Sequence, residues 1–193
     1  MAKNILPVFR TFPEEGQIIG RLVVGYGVLE FYLSCCLGPA LGSDDRALRA
    51  LFRVRSESTR IDVADALMRP PYKEIGLQDK YNEMLGAIRH CKTIRNQYAH
   101  SLWRRENGWL MFASLDAAVK SREGGIAVPY SPINLAALKA QEEYFVYTAE
   151  LLQHLWPEYE HLAGRELSSP RKAAPKIRDQ PPLDSLPPKS AGL

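Results

Sequence analysis

Cys91-Lys92-Thr93-Ile94-Arg95-Asn96-Gln97-Tyr98-Ala99-His100-Ser101-Leu102-Trp103 is the stretch that decides how this chain reads. Up to residue 100 it continues a helical pattern that starts near residue 78; beyond it the pattern changes. At about 100° per residue, Tyr81, Met84, Leu85, Ala87, Ile88, Cys91, Ile94, Tyr98 and Ala99 share one apolar arc. Asn82, Glu83, Arg89, His90, Thr93 and Gln97 project to the opposite side. Arg95 breaks the separation, because it points near the middle of the apolar arc. A guanidinium buried without a counter-charge is costly. Arg95 is therefore expected to hold either an acidic partner or an anionic ligand.

Working outward toward the N-terminus, residues 1–12 read as an irregular lead-in. Thr11-Phe12-Pro13-Glu14-Glu15 opens a helix, with proline early and acids facing the dipole. Ile18, Ile19, Leu22, Val23, Tyr26, Leu29, Leu33, Cys36 and Leu37 then recur at helical spacing until Gly38-Pro39 and Gly42. Glu30 lies at the border of that stripe and is the first candidate partner for Arg95; the alternative is that it reaches solvent. Gly20, Gly25 and Gly27 weaken the helix but permit close approach by another one. Ser43-Asp44-Asp45 caps a short second helix. Ser56-Glu57-Ser58-Thr59 opens a third, which Arg69-Pro70-Pro71 is expected to stop.

Toward the C-terminus, Glu106-Asn107-Gly108 separates two short aromatic and apolar segments, a hairpin signal covering about 101–115. Residues 116–130 read as a loop. Ser131-Pro132 is expected to restart helix, carried by Leu135, Leu138, Tyr144, Phe145, Thr148, Leu151, Leu152 and Leu155 to about Leu162. Beyond Gly164 the chain is rich in proline, lysine and serine, and residues 165–193 are expected to be disordered.

The 193 residues suffice for one core of ordinary size. Of 25 basic and 22 acidic residues, the tail holds six and three, which leaves nineteen of each elsewhere. The basic character thus belongs to the tail and does not mark the body as a nucleic-acid binder. Cys35, Cys36 and Cys91 form neither a disulfide framework nor a zinc spacing, so reduced thiols and a cytoplasmic location are expected. The N-terminus shows no secretory leader pattern. Arg21 and Glu30 interrupt the most apolar run, which argues against a membrane span. No phosphate-binding glycine loop, HExxH or GxSxG occurs, and no metal or other cofactor is expected.

Arg95-Asn96-x-x-x-His100 resembles the R-x4-H motif of the HEPN superfamily (higher eukaryotes and prokaryotes nucleotide-binding). The run from Arg95 to Trp103 is similar to the RNxxAH-x-x-W segment of small bacterial and phage-borne members. Glu30 resembles the acidic residue that many members carry on an early helix. The resemblance covers residues 14–162. It implies an all-α, up-and-down helical bundle over 13–164, with the hairpin as an insertion. It also implies metal-independent endoribonuclease activity in a homodimer, in a toxin–antitoxin or phage-defence setting with a possible antitoxin partner.

The chemistry of the residues suits that implication. Metal-free RNA cleavage needs a base for the 2′-hydroxyl and a cation for the phosphorane charge. Histidine titrates near neutrality, and arginine grips phosphate through two donors. The candidate catalytic set is Arg95, Asn96, His100 and Glu30, with Asn96 orienting the phosphate or His100. Lys92, Arg104 and Arg105 are candidates for holding the RNA backbone. Trp103 and Trp109 could stack a base or simply pack the hairpin. A second reading stands beside this one. Arg95 pairs with Glu30 to tie helices together, His100 caps the last carbonyls, and the chain is a non-catalytic helical interaction module.

Overall fold

A computed structural model describes residues 5–115, 119 and 128–185. These are mostly helical, with a small three-stranded antiparallel sheet. The order is a 3-10 turn at Pro7–Arg10, then α1 (Pro13–Leu41), α2 (Asp44–Arg53), α3 (Glu57–Glu74) and α4 (Gln78–Ala99). Strands β1 (Ser101–Glu106), β2 (Trp109–Ser114) and β3 (Ser131–Ile133) follow, and α5 (Leu135–Leu162) is the last regular element among the described residues. The chain forms two compact units. One comprises Met1–Val24, Thr93–Glu143 and Pro181–Leu193, the other Gly25–Lys92 and Tyr144–Gln180.

In the unit containing Gly25–Lys92, local signals set most of the helix ends. Ser43 and Ser56 cap α2 and α3, each hydroxyl accepting the backbone N–H three residues on at 3.3 Å. α1 runs through Gly38-Pro39 and stops only at Gly42, whose φ of +68° an L side chain rarely adopts. There Gly42 N–H bonds Pro39 C=O at 3.3 Å and Ser43 N–H bonds Gly38 C=O at 3.0 Å, the pairing of a Schellman end.

α3 departs further from expectation. It continues through Pro70 and Pro71 to Glu74, although each proline removes a helical donor. Tyr72 supplies the reason. It is fully buried, donates its hydroxyl to Cys36 C=O at 2.8 Å, and packs against the rings of Tyr81 and Tyr159 at 5.3 and 4.6 Å. These contacts form only if the helix reaches residue 72. The same unit buries Leu33, Leu37, Ile61, Met68, Met84, Ile88, Leu152 and Leu155, all at most 1% exposed.

The other unit holds the sheet. Asn107 (φ 50°) and Gly108 (φ 82°) make the two-residue turn between β1 and β2, with Trp103 opposite Phe112 and Ser101 opposite Ser114. Helix was expected to restart at Ser131-Pro132. Instead Ser131–Ile133 pairs with Phe112–Leu110 as an edge strand, a position that tolerates proline. α5 begins afterwards, because Asn134 Oδ1 accepts Ala137 N–H at 2.8 Å and acts as the cap. Phe9, Tyr98, Trp103 and Phe112 form a ring cluster with centroids 5.4–5.7 Å apart. That cluster fastens the hairpin to the last turn of α4, and it shows Trp103 as a packing residue. A Cβ at Gly16 would stand 2.9 Å from Cγ of Phe9, so that position needs glycine for space.

Residues 165–193 were expected to be disordered, and the described part of that tail is 165–185. Residues 165–185 have no helix or strand but make specific contacts. In the unit containing Tyr144–Gln180, Arg171 pairs with Glu158 at 2.8 Å and Lys172 C=O meets His154 Nδ1 at 2.7 Å. In the other unit, Pro181–Ser185 is held by Gln97, Gln141, Asn134 and Pro132. Composition signals disorder through its low apolar content, but these contacts are mostly hydrogen bonds to main chain, which composition does not register. Residues 186–193 lie outside the described residues, as do most of 116–127.

α1 is the one described helix long and apolar enough to cross a membrane, by length and composition only. Its most apolar window is 56% buried inside the protein.

Candidate functional site

The last turns of α4 carry the motif. Ile94 and Tyr98 anchor that turn, at 0% and 3% exposure, and fix which way the residues between them face. Arg95 is half-buried and donates from Nη1 to Asn96 Oδ1 at 3.0 Å. Asn96 thus steadies the guanidinium, a role the sequence reading gave it only toward phosphate or His100. The intermediate exposure of Arg95 differs from the deep burial that its projection implied; α4 ends at Ala99 and β1 begins at Ser101.

His100 follows the last helical residue and is exposed. Its backbone is nonetheless fixed, since His100 C=O accepts Leu115 N–H at 3.0 Å and continues the hairpin ladder by one pair. The helix-capping role that the second reading gave His100 is filled by Ser101, whose hydroxyl donates to Gln97 C=O. Arg95 and His100 are separated by about 7.5 Å of helical rise, a span that long side chains can close around one phosphate.

Glu30 is in the other unit. It is 8% exposed, and Arg60 Nη1 donates to both of its carboxylate oxygens, at 2.8 and 2.9 Å. Arg60 also gives Nε to Val54 C=O at 2.7 Å and lies over the Phe52 ring at 5.1 Å. The sequence reading did not single out Arg60, and no spacing rule distinguishes it from the other arginines. Lys92 belongs to that unit too, with Nζ donating to Ser58 Oγ at 2.8 Å. Arg104 pairs with Glu106 at 2.5 Å and stacks 3.7 Å over the Tyr130 ring. Arg105 is exposed on β1. The geometry therefore brings Arg95 and Asn96 together beside a fixed, exposed His100, and assigns Glu30 to Arg60.

The sequence reading missed three polar residues in this unit, Gln97, Asn134 and Gln141, which hold the tail. One signal was available for Gln141. It falls three residues from both Leu138 and Tyr144 on the apolar stripe of α5, and it is fully buried. Among the described residues no group of three or more His, Cys, Asp or Glu side chains is placed to hold a metal ion. No family model matches the chain, and no curated protein or solved structure shows significant similarity to it.

Proposed function

We propose that this chain is a metal-independent endoribonuclease of the HEPN type. The observation that carries the reading is an exposed His100 with a fixed backbone at the end of the helix that bears Arg95 and Asn96. In this mechanism His100 takes the proton of a ribose 2′-hydroxyl. The 2′-oxygen attacks the adjacent phosphorus, the P–O5′ bond breaks as the 5′-oxygen takes a proton from water, and a 2′,3′-cyclic phosphate remains. Arg95 faces the charge that builds on the phosphorane, and Asn96 holds the guanidinium in register. A two-fold homodimer that places two such motifs near its axis belongs to the same reading. Supporting it, a Cβ at Gly20, Gly25 or Gly27 of α1 would meet nothing within 4 Å, and Val24, Val28 and Phe31 of that helix are exposed. A toxin–antitoxin or phage-defence setting, an antitoxin partner and a cytoplasmic location are its biological extension.

The interaction-module reading needs Glu30 as the partner of Arg95, and both Glu30 oxygens are held by Arg60. The same contact takes Glu30 out of the candidate catalytic set, and it is the exposed His100 that favours the nuclease reading. The test is cleavage of a labelled RNA in EDTA. Wild type should yield 2′,3′-cyclic phosphate ends, and His100→Ala should lower the rate by about 10²–10⁴-fold. Arg95→Lys should recover little, because lysine keeps the charge but loses the two-pronged grip. Undiminished cleavage by folded His100→Ala, or activity abolished by EDTA, would overturn the mechanism.

A further inference from the structure

Residues 170–180 are almost entirely exposed, with Ile177 at 78%, yet the chain then buries Pro181 and, four residues later, Ser185. The segment bends at Leu183–Asp184 and is read chiefly at its main chain. Gln141 Nε2 donates to Pro182 C=O at 2.7 Å, and Gln97 Nε2 donates to Leu183 C=O at 2.5 Å. Ser185 N–H donates to Pro132 C=O at 2.9 Å on β3, and Asn134 N–H donates to Ser185 Oγ at 3.0 Å.

The receiving side is built for this. Gln141 is 0% exposed, and its Oε1 accepts the Tyr98 hydroxyl at 2.7 Å. A proline carbonyl can only accept, so the amide nitrogen must face Pro182 and the amide oxygen must face Tyr98. With Tyr98 on the amide oxygen, the buried amide nitrogen finds its acceptor in the carbonyl of Pro182, and emptying that position would strand a buried donor. Asn134 is similarly committed, with its side chain capping α5 and its N–H turned to Ser185. Pro181 and Pro182 suit such a site, since they offer carbonyls without N–H groups that would need partners of their own.

We propose that Gln97, Gln141, Asn134 and Pro132 form a peptide-binding site for a bent, proline-bearing segment, filled by the chain's own residues 181–185 as a releasable strap. The strap adds to the free edge of β3 through Ser185 and clamps the α4 turn through Gln97. Its hold includes a few neutral hydrogen bonds and one buried proline, while the residues before it are mostly exposed and are tied chiefly by Arg171 to Glu158 and by Lys172 C=O to His154. Release is therefore local opening and does not require unfolding of the unit. The inference uses none of the residues assigned to catalysis and stands whether or not the chain cleaves RNA.

The test uses the full chain and a fluorescent peptide spanning Arg178–Ser185. Ser185→Pro removes the N–H donated to Pro132 C=O and the hydroxyl oxygen that accepts Asn134 N–H, and it alters only the tail. The peptide should bind the Ser185→Pro chain saturably. It should bind wild type about tenfold more weakly or worse, because a tethered strap competes at millimolar effective concentration. In wild type the Ser185 amide should be protected from hydrogen exchange. Adding Gln97→Ala to the Ser185→Pro chain should weaken peptide binding. Equal binding to both chains, binding to neither, or free exchange of the Ser185 amide overturns the proposal. Protection that rises with protein concentration overturns the in-cis assignment and gives the strap to a second copy.

Discussion

Arg60→Ala is the most informative single perturbation of the body. Glu30 and Arg60 have side chains 9% and 17% exposed, so solvent screens their contact little. Removing one partner of a buried pair costs about 3–5 kcal/mol, because the other charge is stranded. Arg60→Ala also loses the charge-assisted bond to Val54 C=O and the stem packed on Phe52. Partial access of Arg60 to water pulls the total toward the lower end, about 3 kcal/mol, a large share of the 5–15 kcal/mol typical of a domain. With an m-value near 2 kcal/mol per M, the urea midpoint should fall by about 1.5 M. Glu30→Gln keeps the shape and one acceptor, and should cost about half as much. The assay is a double-mutant cycle with Arg60→Ala, Glu30→Ala and the double variant, followed by circular dichroism in urea. A coupling of about 2 kcal/mol or more is expected. A coupling below about 0.5 kcal/mol would refute the assignment of Glu30 to Arg60 and reopen Glu30 as a partner for Arg95.

Three further outcomes rest on other parts of the structure. Burial is the largest single influence on Asp65 and raises its pKa, but hydrogen bonds from Arg69 and Tyr81 and the charges of Arg69 and Arg89 outweigh it and leave the group below its usual range. A carboxylate depressed in the folded state stabilises fully above the unfolded pKa of about 3.9 and loses that contribution as pH falls through the lower folded value. Thermal unfolding between pH 5 and pH 2 should therefore show an acid-side decline that is shallower in Asp65→Asn; parallel curves would count against it. Cys91 is fully buried, and burial pushes its thiol up to about 12, while Cys36 is also buried and raised and Cys35 is only part-buried. A thiol reagent should label Cys35 first in the native protein, and rapid labelling of Cys91 would contradict the packing of α4. Gly16→Ala should destabilise by about 1–3 kcal/mol through overpacking against Phe9, measured as a lowered melting temperature; an unchanged melting temperature would mean that Phe9 yields at no cost.

Features carried by neighbours along the chain were legible in the sequence. The apolar arc of α4 is buried as its 3.6-residue period implied, Ser43 and Ser56 cap the helices they precede, and Asn107-Gly108 makes the hairpin turn. The caps and the turn arise from contacts within about four residues, and the buried arc follows a period that the sequence itself displays. Arg95, Asn96 and His100 were legible for the same reason, as they share one helix end. Other features waited on tertiary contacts. Any of 25 cationic side chains could have met Glu30, and only packing brought Arg60 to it, thirty residues away. α3 passes two prolines because distant partners of Tyr72 outweigh the lost local hydrogen bonds. The tail docks because side-chain amides find its carbonyls, and every residue type displays the same carbonyl. Main-chain recognition of that kind leaves no mark in composition, so only the tertiary structure could decide it.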